Sequence, residues 1–126
     1  MSKADIMETT LLNQNQLGYA EVYASDILEL KNIFLLKFKL NKINENFGIP
    51  FLMIKKKNEA IAFANLVLKS GKIDFEIYEK ESLNEQERND FLRQANDYFK
   101  TKKSENFRNP EQLESSILQM IDWLNE

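Results

Sequence analysis

The sequence predicts an α+β fold: a small, mainly antiparallel sheet of three to five strands packed by helices, two of them C-terminal. Three observations carry this. Residues 51–79 (FLMIKKKNEAIAFANLVLKSGKIDFEIYE) read as consecutive strands over 51–57, 60–69 and 72–79. In the last of these, Ile73, Phe75 and Ile77 alternate with Lys72, Asp74, Glu76 and Tyr78, the period-two pattern of a strand with one face on a core and the other in water. Beyond residue 82, two segments carry apolar residues at helical spacing behind recognisable capping residues.

Taken in order, residues 1–17 are polar with scattered Ile6, Met7, Leu11 and Leu12, which suits a short helix or flexible arm. Residues 25–46 admit two readings. Ile27, Leu30, Phe34 and Phe38 fall at helical spacing, whereas Leu36, Phe38 and Leu40 alternate with Lys37, Lys39 and Asn41 as a strand would. The length of the stretch and its lack of Gly or Pro favour a helix over 25–46. Gly48 and Pro50 then punctuate the entry to the strand block. Asn58–Glu59 and Ser70–Gly71 are the expected hairpin turns. In the middle strand, Ala60, Ala62, Ala64, Leu66 and Leu68 share one face, and Ile61, Phe63 and Val67 the other. Both faces are therefore covered and the strand is central.

Ser82 and Glu85 read as a capping box that opens a helix over 83–100, with Leu83, Phe91, Leu92, Ala95, Tyr98 and Phe99 inward. Glu85–Arg88, Asp90–Arg93 and Arg93–Asp97 are its expected surface pairs. Asn109-Pro110 starts the last helix, 110–125, with Leu113, Ile117, Met120, Ile121 and Leu124 as its apolar stripe. No repeat or linker divides the chain, so 1–126 is expected to be one domain.

Composition narrows the chemistry. With neither cysteine nor histidine there is no disulfide, no thiolate or imidazole metal ligand, and no Ser-His-Asp or Cys-His arrangement. No metal or cofactor is expected. The first residues lack the apolar stretch of a signal peptide, and no apolar run reaches a membrane-spanning length, which makes the cytoplasm the expected location. The net charge of −3 is uneven: residues 1–72 carry +3 and residues 73–126 carry −6. The acidic half argues against nucleic acid, since phosphate binding needs a cationic surface.

The candidate partner-binding residues are Asp74, Glu76 and Tyr78 on the polar face of the last strand, Glu81 and Glu85 beyond it, and Trp123, one position off the apolar stripe of the last helix. Lys55-Lys56-Lys57 reads as a charged turn; there is no Gly-rich phosphate loop. The order of elements resembles the N-terminal half of the GNAT-type acetyltransferases. Tyr19–Ala24 would be the first strand, 25–46 the helical stretch, FLMIKKKNEAIAFANLVL the hairpin, KIDFEIY the following strand and 83–100 the cofactor helix. That resemblance would imply an acyl-CoA site at the helix start and an acyltransferase using Asp74, Glu76 or Tyr78. The family's pyrophosphate loop, Q/R-x-x-G-x-G/A, is replaced here by EKESLNEQER, without glycine, which implies weak or lost acyl-CoA binding.

The leading expectation is a small cofactor-free binding or regulatory protein, of the bacterial or phage accessory, inhibitor or immunity kind. It would meet a protein partner through an acidic surface, to which a basic partner is complementary. A homodimer is a further possibility.

Overall fold

The computed structural model describes residues 17–106 and 109–126, with the backbone alone for 102–106. The helix or arm expected over 1–17 lies, apart from Leu17, outside the described residues. Four strands form one antiparallel sheet in chain order: β1 (Gly18–Glu21), β2 (Ile49–Lys56), β3 (Glu59–Lys69) and β4 (Lys72–Glu79). A 3₁₀ turn (Ala24–Asp26) leads into α1 (Ile27–Phe38) between β1 and β2; α2 (Glu85–Asn106) and α3 (Pro110–Leu124) follow the sheet. This is the α+β architecture expected, with two C-terminal helices packed on the sheet.

Residues 25–46 resolve as a shorter helix. α1 stops at Phe38 because Lys39 takes the left-handed conformation (φ 54°), and Leu40 N–H then closes back on Leu35 O at 3.0 Å. Glycine normally supplies such a stop, and a lysine in this conformation leaves no mark in the sequence. Residues 39–48 form the connection into β2, with Ile43 and Phe47 buried. Both hairpins turn on two residues of positive φ, Lys57–Asn58 and Ser70–Gly71, as type I′ turns require. The first turn therefore sits one residue earlier than expected.

A bulge changes the faces of β3. Ala62 pairs with Ile54 but Ala60 with Lys55, so Ile61 is an extra residue. Ile61 joins Ala62, Ala64 and Leu66 on the face that α2 covers with Phe91 and Ala95, while Ala60 moves to the face of Phe63. The opposite face packs Met53, Phe63 and Tyr78 against Leu30, Ile33 and Phe34 of α1 and Phe47 of the connection. α3 serves both clusters, Leu113 and Ile117 in the first and Leu124 in the second. Its Asn109 cap accepts from Gln112 N–H at 2.9 Å, ahead of Pro110, as expected.

α2 begins two residues later than predicted, and its capping box is Asn84–Glu87 rather than Ser82–Glu85. Asn84 Oδ1 accepts Glu87 N–H at 2.7 Å, and Glu87 Oε1 accepts Asn84 N–H at 3.0 Å. Arg88, expected beside Glu85, instead grips Glu79 of β4 through two nitrogens at 2.7 and 3.0 Å. Asp90–Arg93 forms as predicted.

Candidate functional site

The site grows from β4. Its two-residue turn makes Lys69 and Lys72 a hydrogen-bonded pair, so the even-numbered residues direct their peptide groups at β3 and the odd-numbered ones outward. Two bonds agree with that phase: Lys37 Nζ donates to the outward carbonyl of Glu79 at 3.3 Å, and Phe75 N–H donates to Asp74 Oδ1 at 2.8 Å. An edge strand is thus partly closed by its own neighbours, which discourages indiscriminate pairing.

The side chains of Asp74, Glu76 and Tyr78 share a face with Asn65, Val67 and Lys69 of β3. Of the two lysines on this face, Lys72 is exposed at the turn and Lys69 is the one that engages the carboxylates. It forms an ion pair with Glu76 and lies 4.0 Å from Asp74 Oδ2. The hydrogen bond it donates to Glu76 holds the ammonium protonated above its usual range.

Tyr78, predicted on the open polar face, is buried. The face is open only toward the start of β4; at its other end α1 covers it. Phe34 and Phe38 meet the Tyr78 ring edge-on at 5.3 and 5.7 Å, and Phe63 lies 5.4 Å away. Its hydroxyl donates to Asn46 O, tying β4 to the connection. Burial, with Glu76 nearby, pushes its pKa up to about 12. Tyr78 therefore acts as a wall and a fixed donor rather than as an acid near neutral pH.

Beside this face opens a cavity of about 510 Å³. Phe38 of α1, Val67 and Leu68 of β3, and Ile117 and Leu118 of α3 give it apolar walls, with Tyr78 contributing its ring. The polar lining comes from Glu45 and Asn46 of the connection, Lys69, Glu76 and Glu114. Glu45 and Glu114 form no ion pair among the described residues. Phe38 and Leu118 are both more than two-fifths exposed, although each is a large apolar side chain.

The structure thus brings Glu76 and Tyr78 into one cavity and holds Asp74 beside them through Lys69. It does not bring in the other three predicted residues. Glu81 and Glu85 are exposed past the far end of β4, roughly 20 Å of strand from Asp74. Trp123 is half exposed on α3, about a turn and a half beyond Leu118, and does not line the cavity. Sequence reasoning missed Phe38, Glu45, Lys69, Glu114 and Leu118. Only Leu118 carried a signal, an apolar side chain off the buried stripe.

The start of α2 does not suit a cofactor pyrophosphate. Leu83 N–H donates to Glu79 Oε1 at 2.9 Å and Glu87 N–H to Asn84, so the protein's own side chains occupy these donors. Arg88, paired with Glu79, lowers that carboxyl below its usual range, and the remaining side chains at this corner are predominantly acidic. Among the described residues no group of three potential ligands could hold a metal ion, and no helix is long and apolar enough to cross a membrane. Comparison with protein-family models, curated proteins and solved structures gave no significant match.

Proposed function

We propose that this protein is a small cytoplasmic binding or regulatory protein that works by protein–protein contact, as inhibitors and immunity-like accessory proteins do. The cavity beside β4 is its contact point. One observation carries the reading: apolar walls from α1, β3 and α3 converge with carboxylates from the connection, β4 and α3, two of which form no ion pair among the described residues. A few polar groups aimed into an apolar concavity are the usual make-up of a recognition site. The excess negative charge favours a basic partner and would accelerate encounter with it.

The test uses the tagged full chain as bait, with a Glu45→Lys/Glu114→Lys double variant in parallel. The reading expects a protein partner that crosslinks next to Glu45, Glu76 or Glu114 and is lost with the double variant. Thermal stabilisation by several degrees with acetyl-CoA, together with partner capture indifferent to the two charge reversals, would overturn it.

A further inference from the structure

The cavity's charge and shape narrow what it takes. We infer that it receives the guanidinium of an arginine side chain carried next to an apolar residue, an inference that rests on the protein-contact reading above. Among the described residues the lining holds Glu45, Glu76 and Glu114 against one cation, Lys69, and Lys69 is already shared between Glu76 and Asp74. The described lining is therefore net negative, and an anionic or neutral ligand leaves that excess uncorrected. A bare inorganic cation fits poorly, because the walls between the carboxylates are apolar. A cation on an apolar stem suits both parts.

Arginine is favoured over lysine on geometry. Its planar guanidinium can lie against an aromatic ring while donating to carboxylates from its edge, and it loses less hydration than an ammonium. Phe38 is the ring that offers such a surface: it lines the cavity and is more than two-fifths exposed, whereas Tyr78 is buried against Phe34, Phe38 and Phe63 and serves as the wall behind it. The volume of about 510 Å³ lies within the range of cavities that enclose a ligand larger than one side chain. Leu118, exposed beside Glu114, is placed to meet the apolar neighbour of the arginine. Lys69 has a second consequence. It is an internal substitute for the incoming cation, and its removal leaves Glu76 and Asp74 free to bind one.

The test is an NMR titration of the full chain with acetyl-Leu-Arg-Leu-amide, and with the same peptide carrying citrulline, the neutral isostere, or lysine. The arginine peptide should bind saturably, with shifts centred on the amides of Glu76, Tyr78 and Leu118. The citrulline peptide should bind at least about tenfold more weakly, since it loses the charge-assisted bonds. Glu114→Gln and Glu45→Gln should each weaken the arginine peptide about threefold to tenfold, and Lys69→Met should tighten it. Leu92→Ser should change nothing, because Leu92, expected inward from the sequence, lies on the exposed side of α2. Equal binding of arginine and citrulline peptides, shifts mapping elsewhere, or tightening absent in Lys69→Met would overturn the inference. Failure here with a partner still lost on Glu45→Lys/Glu114→Lys would sink the arginine assignment alone; indifference in both experiments would sink the contact reading as well.

Discussion

Gly48 is the position where a single methyl group should do most harm. It takes φ +65° at the corner between the α1–β2 connection and β2, and a Cβ there would lie 2.0 Å from Leu66 O, 2.8 Å from Val67 Cγ1 and 3.0 Å from Leu66 C. Two of these are backbone atoms of β3, opposite Ile49 in the ladder, so no rotamer change relieves the overlap. Left-handed backbone costs a residue with a Cβ roughly 1–2 kcal/mol, and forcing atoms into packed space adds roughly 1–3 kcal/mol. Gly48→Ala should therefore destabilise by about 2–5 kcal/mol. The same corner holds buried Phe47 and the Asn46 carbonyl that receives Tyr78, so its displacement also opens the candidate site. Gly71 separates the two contributions, because it has φ +75° but nothing within 4 Å of the added Cβ. Gly71→Ala should lose only the conformational part, about 1–2 kcal/mol. Gly18→Ala, with neither feature, should fall within about 0.5 kcal/mol of the parent. Urea unfolding followed by circular dichroism measures all three, and an unchanged m-value keeps the comparison to the native state. A Gly48→Ala midpoint equal to that of Gly71→Ala would show that the corner yields, and the packing argument would fail.

Three further outcomes follow from the same contacts. Tyr78→Phe should cost about 1 kcal/mol for the lost bond to Asn46 O, and in the parent one tyrosine should resist ionisation until about pH 12. Near-ultraviolet phenolate absorbance in the parent and variant checks both, and a phenolate signal at pH 10 that disappears with the substitution would refute it. Glu79 is held below its ordinary pKa of 4.5, first by the hydrogen bond from Arg88. Because its folded pKa is depressed, its stabilisation is present above the unfolded pKa and is lost as pH falls through the folded value. Glu79→Gln should thus lower the melting temperature at neutral pH, with the gap closing below about pH 4.5 as the parent carboxylate protonates; a gap independent of pH would contradict this. Asn84→Ala should cost about 1 kcal/mol by denaturant titration while Ser82→Ala costs almost nothing, the reverse of what the sequence alone suggests.

Much of the fold was legible because its signals are local. Alternation over 72–79, paired turn residues at Ser70–Gly71 and the Asn109-Pro110 cap each determine their element within a few residues. The errors arose where long-range contacts choose between equivalent local options. Ser82-x-x-Glu85 and Asn84-x-x-Glu87 are both acceptable boxes, and the outcome follows from Glu79, whose carboxylate takes Leu83 N–H and Arg88 and so holds residues 80–83 out of the helix. Ile61 is bulged although nothing in AIAFAN distinguishes it, so strict alternation put Ala60 on the wrong face. Lys39 ends α1 without glycine. The cavity was the least legible feature, since its lining comes from five separated stretches between Phe38 and Leu118.

Charge counted along the chain is a poor guide to charge at a surface, and this molecule supplies a test of that. Residues 73–126 carry −6, which reads as an acidic face around Asp74, Glu76, Glu81 and Glu85. In the structure five of the thirteen carboxylates of this half have internal work. Glu79 holds Arg88, Glu87 caps α2, Asp90 pairs with Arg93, and Asp74 and Glu76 share Lys69. Among the described residues, the cavity carboxylates left without a cation are Glu114 and Glu45, and Glu45 belongs to the half of the chain that is net basic. Charges beyond a Debye length of about 8 Å at physiological salt contribute little to a contact, so position should outweigh number. Glu81→Lys/Glu85→Lys and Glu45→Lys/Glu114→Lys change net charge by the same amount. If the cavity is the contact point, the second pair abolishes partner binding, whereas the first slows association modestly and leaves dissociation unchanged. Surface plasmon resonance with the captured partner distinguishes them, and equal losses from both pairs would mean that the diffuse acidic field, not the cavity, is what the partner reads.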